Sequence, residues 1–215
     1  MIIHILAGGP EKNIPTLEPY DEKNVSWVGV DHGVFRLVNQ GIIPTAAFGD
    51  FDSVTKEEWQ DIQDNVSKIN QFKPEKDETD MELAFNWAVG QNPSIIRIFG
   101  ATGGRLDHFM ANVQLLLRKE SLHPSLKIEL IDTNNIIHIV SFGEYTVEKL
   151  KEKKFISFIP LTTDVENLTL KGFKYPLTNR NIPLGSTLCI SNELIQSQGT
   201  FSFTNGILMV IRSQD

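Results

Sequence analysis

The chain has 215 residues, 40% of them hydrophobic and 22% charged, which is typical of a folded globular protein with one large domain or two small ones. Its formal net charge of −7 argues against a protein that binds nucleic acids or anionic membranes, because both need a basic surface. The single cysteine, Cys189, excludes an internal disulfide and favours the cytoplasm, and we interpret it as a core residue.

The first part of the chain alternates short apolar runs, typical of buried strands, with amphipathic segments, typical of helices. No apolar run is long enough to span a membrane, and the N-terminal run is predicted to be a buried strand, not a signal peptide. Strands are predicted at Ile2–Leu6, Ser26–Val30, Thr45–Phe48 and Ile95–Phe99. Helices are predicted near Gly33–Gln40, Lys56–Asn65, Thr79–Val89 and Leu106–Lys119.

This alternation predicts an α/β domain over residues 1–124, with a mostly parallel sheet covered by helices on both faces in a Rossmann-like arrangement. In such sheets the ligand lies at the carboxyl ends of the strands. Residues 125–215 instead contain short strand candidates, beginning with Lys127–Ile131, and no convincing helical period. They are predicted to form a smaller all-β sandwich, with a hairpin turn at Asn205-Gly206.

Two carboxylates follow the third predicted strand, in the run Ala-Phe-Gly-Asp-Phe-Asp that ends at Asp52. In an extended chain, residues i and i+2 point to the same face, so Asp50 and Asp52 are predicted to project together. Like charges held this close repel each other unless a cation lies between them, and Mg²⁺ prefers such hard oxygen ligands. A solvated acidic turn is the alternative interpretation.

Further charged residues lie at the ends of other predicted elements. Asp31 follows the second strand, where it could face a ligand or serve as the N-cap of the next helix. Lys76, Asp77 and Asp80 crowd the start of the third helix. Part of that segment has a structural explanation, since Thr79 and the glutamate three residues later match a capping box.

A glycine-rich turn, Phe99–His108, connects the last predicted strand of the α/β domain to its last helix. Glycines such as Gly103 and Gly104 let backbone N–H groups approach an anion at a helix N-terminus, where Arg105 could bind a phosphate with two hydrogen bonds. A plain connection between two elements is the alternative. Acids at successive strand ends, combined with a turn of this type, indicate a metal–nucleotide site.

In this order along the chain, these segments resemble the thiamine pyrophosphokinase family, and the resemblance covers nearly the whole sequence. One departure occurs around His32, where many members have small residues and a second glycine. The resemblance is carried by the runs Asp31–Gly33, Gly49–Ser53, Lys76–Asp80, Gly103–His108, Leu170–Leu177 and Gly185–Glu193.

The resemblance implies transfer of a pyrophosphoryl group from ATP to the hydroxyethyl oxygen of thiamine, which gives thiamine diphosphate and AMP. It implies that residues 1–124 bind ATP and Mg²⁺, and that residues 125–215 bind thiamine and form the dimer contact. Each thiamine site would combine the first domain of one subunit with the β domain of its partner in a homodimer. An acidic cleft would suit the fixed positive charge of the thiazolium ring.

The resemblance also implies roles for individual residues. Mg²⁺ and the ATP phosphates would be held by Asp31, Asp50, Asp52 and Asp80. The nucleotide would also contact Lys76, Asp77, Thr102, Gly103, Gly104 and Arg105. Catalytic roles would fall to Asp50, Asp52, Asp80, Arg105 and Asp107. Thiamine would be bound by Tyr175, Ser191 and Asn192, with the ring of Tyr175 against the cationic heterocycle.

Two other functions use the same residues. The acidic site alone would permit a metal-dependent nucleotide pyrophosphohydrolase, in which water replaces thiamine as the nucleophile. A non-catalytic sensor of thiamine or nucleotide is the second alternative, although a pure binding protein has no need to cluster so many carboxylates.

Overall fold

The computed structural model describes residues 1–52, 54–71 and 77–215. The chain divides into two compact units, Met1–Thr133 and Asn134–Asp215, here called the first and second units. The division falls after Thr133, whereas the boundary predicted from the sequence was after residue 124. The reason is that the strand Lys127–Ile131 pairs in parallel with Ile95–Phe99 and so belongs to the first unit. None of the described helices is long and apolar enough to cross a membrane.

The first unit alternates strands and helices, as the apolar periodicity predicted. Its strands are Ile2–Leu6 (β1), Val25–Val30 (β2), Ala46–Gly49 (β3), Ile69–Gln71 (β4), Ile95–Phe99 (β5) and Lys127–Ile131 (β6). Its α-helices are His32–Asn39 (α1), Lys56–Asn65 (α2), Asp80–Gly90 (α3) and Leu106–Leu115 (α4). Two 3₁₀ turns, Glu11–Asn13 and Glu18–Tyr20, lie between β1 and β2.

The six strands form one parallel sheet in the order β6-β5-β1-β2-β3-β4. Ile2 lies opposite Val25 of β2 on one side and opposite Ile95 of β5 on the other. From β1 to β4 the chain builds the sheet in one direction, and it then returns to add β5 and β6 on the other side. The direction of winding therefore switches between β1 and β5, the kind of position where parallel sheets leave a crevice at the carboxyl ends of their strands.

Helices cover both faces of this sheet. Ala47 and Phe48 are neighbours in β3 and therefore point to opposite faces. Ala47 belongs to a buried cluster with Val34 of α1 and Ile62 of α2. The ring of Phe48 lies 6.1 Å from that of Trp87 in α3. Helices α1 and α2 therefore pack on one face and α3 on the other, as the sequence predicted.

The second unit is all-β, and residues 134–215, every one of them described, contain no helix. All of its strand pairs are antiparallel. Its strands are Asn135–Glu148 (β7), Phe155–Pro160 (β8), Asp164–Lys171 (β9), Leu177–Pro183 (β10), Asn192–Glu193 (β11) and Gln198–Ser213 (β12).

The predicted hairpin at Asn205-Gly206 is wrong, because the chain continues through both residues as part of β12. The register with β7 shifts between Phe203 and Ile207, and Gly206 has a φ of 102°, so the segment is a bulge. The first half of β12 also pairs with β9 and the second half with β8. A bend between two partner strands thus replaces a reversal of the chain.

The predicted core position of Cys189 is confirmed. The side chain is 4% exposed and belongs to the buried cluster of the second unit, with Phe158, Phe201 and Val210. Burial raises the pKa of its thiol to about 11, so the group stays protonated at neutral pH and is a poor nucleophile.

A histidine lies in the centre of the parallel sheet, buried from solvent. His4 is opposite Trp27 in β2 and Arg97 in β5, and its ring centroid lies 4.7 Å from that of Trp27. Burial and, secondarily, the charge of Arg97 lower the pKa of His4 to about 4, although Glu129, which accepts a hydrogen bond from Arg97, acts in the opposite direction. His4 is therefore neutral at physiological pH.

We expect His4 to make the fold sensitive to mild acid. Its pKa is about 4 in the folded state against an ordinary value of 6.5, so the unfolded chain binds the proton first as the pH falls below 6.5. The free energy of unfolding should therefore drop by about 2–3 kcal/mol between roughly pH 7.5 and 4.5. Urea unfolding at both pH values should show this drop in wild type and in the exposed-histidine control His123→Gln. His4→Phe should lose most of it, and an equal pH dependence in His4→Phe would contradict the assignment.

Candidate active site

A cavity of about 930 Å³ opens at the carboxyl ends of the strands in the first unit, where the winding of the sheet switches direction. It is bordered by the turn after β1, by the end of β2, by the turn after β5 and by the start of α3. Among the lining residues are Ala7, Gly8, Gly9, Asp31, Asp52, Asp77, Asp80, Gly100, Thr102, Gly104 and Arg105.

The turns after β1 and β5 pack directly against each other. The backbone N–H of Gly9 donates to the carbonyl of Gly100 at 2.9 Å, and that of Ala7 donates to Phe99 at the same distance. A Cβ atom at Gly9 would overlap the Gly100 carbonyl oxygen, and Gly100 has a φ of 64°. Glycine is needed at both positions, since only a chain without Cβ atoms can bring the two backbones this close.

Asp31 follows directly after β2 and has an unusual backbone conformation, with a φ of 50° and a ψ of −127°. Such a conformation costs a non-glycine residue about 1–3 kcal/mol and often marks a functional site. Asp31 occupies the N-cap position of α1, which was one of its two predicted roles, although its side chain makes no capping bond to the helix. Asp31 lines the cavity, and its Oδ1 lies so close to Gly49 that a Cβ there would overlap it.

Asp50 and Asp52 do not project side by side as extended residues. Strand β3 ends at Gly49, and Phe51 has a φ of 59°, which breaks the strand alternation. The carboxylate Oδ1 of Asp50 accepts the backbone N–H of Asp52 at 3.1 Å. Asp52 is exposed and lines the cavity, whereas Asp50 is half-buried and is not among the lining residues. The metal role of both residues stays a prediction.

The start of α3 brings two further acids to the cavity. Asp77 and Asp80 both line it, and Thr79 between them is the N-cap, its hydroxyl accepting the backbone N–H of Glu82. The predicted capping box is only half right, because the Glu82 carboxylate pairs with Arg118. Lys76 lies outside the described residues.

The glycine-rich turn after β5 is fixed from within the first unit. The Thr102 hydroxyl donates to Oδ2 of Asp132 at 2.7 Å, and the amide of Asn112 donates to the carbonyl of Ala101. All four residues are buried. Thr102 thus has a structural role in holding the turn, and its predicted contact with a nucleotide stays a prediction, as does that of Gly103, which does not line the cavity.

Arg105 and Asp107 form a bidentate pair. Nε and Nη2 of Arg105 donate to Oδ1 and Oδ2 of Asp107 at 3.1 and 2.6 Å. These bonds and, secondarily, the backbone N–H of His108 lower the pKa of Asp107 to about 2, so the carboxylate is charged at neutral pH. Arg105 lines the cavity and Asp107 does not. In this arrangement the guanidinium predicted to bind phosphate is already occupied by a carboxylate.

The donor set of the cavity suits a hard cation. Its acidic lining residues are Asp31, Asp52, Asp77, Glu78 and Asp80, and carboxylate oxygens are the ligands that Mg²⁺ takes in proteins. Within the described ranges, no three acidic, histidine or cysteine side chains are arranged so that they alone could hold an ion. Substrate phosphates would therefore have to complete the coordination, which is the usual way in which proteins bind Mg²⁺.

The predicted thiamine residues lie together in the second unit. The amide of Asn192 bonds twice to the backbone of Tyr175, donating to its carbonyl at 2.8 Å and accepting its N–H at 3.0 Å. Asn192 is 2% exposed, whereas Tyr175 is 58% exposed. The backbone N–H of Ser191 donates to the hydroxyl of Ser157. Asn192 therefore fixes the position of Tyr175, and a direct contact of Asn192 with thiamine stays a prediction.

Sequence reasoning missed several residues that border the cavity, among them Arg36 in α1, Asn112 in α4 and the turn Gly8-Gly9. The Gly-Gly pair directly after an apolar strand was the available signal for the turn. Arg36 and Asn112 gave no signal, because each is one of several polar residues on an amphipathic helix.

Two family models match the chain, one described as thiamin pyrophosphokinase, catalytic domain, over residues 17–130, the other as thiamin pyrophosphokinase, vitamin B1 binding domain, over residues 144–208. The thiamine pyrophosphokinase of Bacillus subtilis (strain 168) is 52% identical over 213 residues, which cover 99% of each sequence. A crystal structure of thiamine pyrophosphokinase from Bacillus subtilis has a TM-score of 0.94 at 51% identity, with complete coverage of both chains. A crystal structure of thiamin pyrophosphokinase from Geobacillus thermodenitrificans has a TM-score of 0.91 at 51% identity, and the match covers all of this chain and 98% of the Geobacillus chain.

Proposed function

The chain belongs to the thiamine pyrophosphokinase family, and on that premise we propose that it transfers the pyrophosphoryl group of ATP to thiamine in the cavity of its first unit. The products are thiamine diphosphate and AMP. The observation that carries the proposal is the position of four aspartates, Asp31, Asp52, Asp77 and Asp80, around a cavity at the switch point of a parallel sheet. We propose that this first unit works as a Rossmann-like nucleotide-binding domain.

The reaction forms a bond between the hydroxyethyl oxygen of thiamine and the β-phosphorus of ATP. The bond from that phosphorus to the oxygen bridging the α- and β-phosphates breaks, AMP leaves with this oxygen, and the hydroxyl proton is released. The chain must hold the triphosphate and the alcohol in line, because positioning and charge stabilisation supply most of the catalysis in phosphoryl transfer. When bound, Mg²⁺ neutralises charge on the phosphates.

We assign the metal to Asp31, Asp50, Asp52 and Asp80, which are acids at the ends of β2 and β3 and at the start of α3. The nucleotide is assigned to Asp31, Lys76, Asp77, Thr102, Gly103, Gly104 and Arg105. The reacting groups are assigned to Asp50, Asp52, Asp80, Arg105 and Asp107. Arg105 can bind a phosphate oxygen only with the donors that Asp107 leaves free, or after exchange of that partner. This exchange would couple nucleotide binding to the position of Asp107.

We assign thiamine to the second unit, a proposed two-layer sandwich, through Tyr175, Ser191 and Asn192. The ring of Tyr175 is exposed, and Nζ of Lys174 lies 5.5 Å from its centroid, so this ring already accepts a cation in the free protein. Nζ of Lys174 also donates to Glu193 at 2.9 Å. The lysine would therefore keep this partner if another cation replaced it at the ring. The flat, positively charged thiazolium ring of thiamine fits such a surface.

We also propose a homodimer in which the second unit forms most of the contact and each thiamine site combines residues of both subunits. Large apolar side chains that are more than half exposed in the second unit support an interface there. They are Phe142, Leu184, Leu188 and Ile195. A twofold contact of this kind gives two equivalent sites.

The first prediction concerns the metal ligands and the reaction itself. Incubation with ATP, Mg²⁺ and thiamine, followed by chromatography, should yield thiamine diphosphate and AMP in equal amounts. Asp52→Asn removes an anionic oxygen ligand and should lower the rate by ~10²-fold or more. Asp61→Asn, an exposed change on α2 outside the cavity, is the control and should retain the rate. Wild-type turnover of Asp52→Asn at limiting Mg²⁺ would refute the metal assignment. AMP release without thiamine would support the hydrolase.

The second prediction concerns the shared site. Light scattering should give the mass of two chains. Asp52→Asn and Tyr175→Ala chains, mixed at low thiamine and allowed to exchange subunits, should recover about a quarter of wild-type activity, because half of the dimers would carry one intact site of two. A mixture of Asp52→Asn with Asp80→Asn should recover none, since both changes affect the same unit. Full activity in a monomer, or exchange without recovery, would rule out the shared-site dimer.

The third prediction concerns thiamine recognition. Tyr175→Ala should raise the KM for thiamine by ~5- to 30-fold and leave the KM for ATP nearly unchanged, because one aromatic contact with the cation is lost. Tyr175→Trp should keep or improve thiamine binding. Leu150→Ala, which removes an exposed apolar side chain of the second unit that is not assigned to the interface, should change neither constant. Equal losses for both substrates in Tyr175→Ala, with a lower thermal midpoint, would make Tyr175 a packing residue.

A further inference from the structure

Arg36 is a cationic residue of the cavity that none of the roles above uses. It lies on α1, which begins directly after Asp31, and its side chain is half-buried and lines the cavity. One of its guanidinium nitrogens, Nη1, donates a hydrogen bond to the carbonyl of Gly9. Gly9 in turn donates to Gly100. Arg36 thus reaches from the helix to the junction of the two glycine turns.

The two arginines of the cavity have different partners. Arg105 is bound at two atoms by the carboxylate of Asp107. In the part of the chain that the structure describes, Arg36 has a neutral carbonyl as its hydrogen-bond partner, and Glu11 acts on it only as a more distant charge. Burial lowers the pKa of Arg36, which reflects the cost of removing its charge from water. An anionic ligand would offset that cost better than the Gly9 carbonyl does.

The guanidinium also has donors to spare. It carries five N–H groups in a planar fork, and the Gly9 carbonyl uses one of them. A phosphate group is the natural partner for the others, because the fork matches two phosphate oxygens. The neighbouring turns have no side chains at Gly8, Gly9 and Gly100, so a phosphate can approach their backbone closely.

We propose that Arg36 binds the phosphate chain of the nucleotide and holds the Gly8-Gly9 turn in place while it does so. The inference rests on the proposed function, since it requires ATP in this cavity. Thiamine is a cation and is not a ligand for this residue. Arg36 would therefore mark the phosphate side of the cavity, opposite in charge to the aspartates that are assigned to the metal.

Direct binding of ATP with Mg²⁺ and without thiamine, measured by calorimetry, tests the proposal. Arg36→Met should weaken ATP binding by ~10- to 100-fold, the range expected for the loss of a charge-assisted contact. Its ATP affinity should also depend less on the salt concentration, by the amount expected for the loss of one ionic contact. Arg36→Lys, which keeps the charge but not the fork, should fall between wild type and Arg36→Met.

Two controls separate phosphate binding from a structural role. Arg118→Met removes another half-buried arginine that pairs with Glu82 and Asn86 and does not line the cavity, and it should bind ATP as wild type does. Adenosine lacks phosphates, so its dissociation constant, measured by competition with ATP, should be the same in Arg36→Met as in wild type. Equal weakening of ATP and adenosine would overturn the proposal in favour of a support for the turn.

The test also distinguishes this inference from the function on which it rests. ATP binding to Arg36→Met with wild-type affinity would overturn the role of Arg36 and leave the nucleotide site intact. A wild-type protein that does not bind ATP with Mg²⁺ would overturn the nucleotide site itself, and with it the inference.

Discussion

The hydrogen bond from Gly9 to the carbonyl of Gly100 joins the two turns on which the cavity depends. It exists because β1 and β5 are neighbours in the sheet although they are far apart in sequence, so that their carboxyl ends open side by side. The chain leaves β1 toward one edge of the sheet and leaves β5 toward the other, which creates the crevice. A side chain at Gly9 would push the two turns apart. Arg36, which donates to the Gly9 carbonyl, would then lose its fixed position beside them.

A charged ligand would explain why the cavity is both strained and acidic. Asp31 holds a backbone conformation that costs a non-glycine residue about 1–3 kcal/mol, and three more aspartates line the same space. Such an arrangement gains nothing for the fold alone, since carboxylates that share a cavity repel each other. On the proposed assignment, it would become favourable when a divalent cation and a polyphosphate enter together, the metal toward the acids and the phosphate toward Arg36 and the glycine turns. The cavity would then be complementary to a metal–nucleotide pair and to neither component by itself.

Much of the first unit could be predicted from the sequence, because buried parallel strands are apolar throughout and their helices have a clear period. The strand β6 was assigned to the wrong unit, since Lys127–Ile131 is as compatible with an antiparallel sheet as with a parallel one, and only its partner decides. The bulge in β12 was predicted to be a hairpin for a similar reason. Asn205-Gly206 permits the backbone angles of a turn, but whether the chain reverses depends on β8 and β9, which are distant in sequence.

The site shows the same limit more sharply. The acids could be found because they follow apolar runs, yet alternation failed for Asp50 and Asp52, since β3 ends one residue before them and Phe51 turns the chain. Asn192 shows another limit, since a residue assigned to a binding site can also hold a second residue of that site. Its amide bonds twice to the backbone of Tyr175, and this contact leaves no mark in the sequence. A residue that fixes another is invisible to sequence patterns, because its partner is a backbone that the fold brings near. Arg36 belongs to this class as well, since the sequence of α1 does not distinguish it from any other helical arginine. Only the fold brings the Gly9 carbonyl within hydrogen-bond distance of its guanidinium.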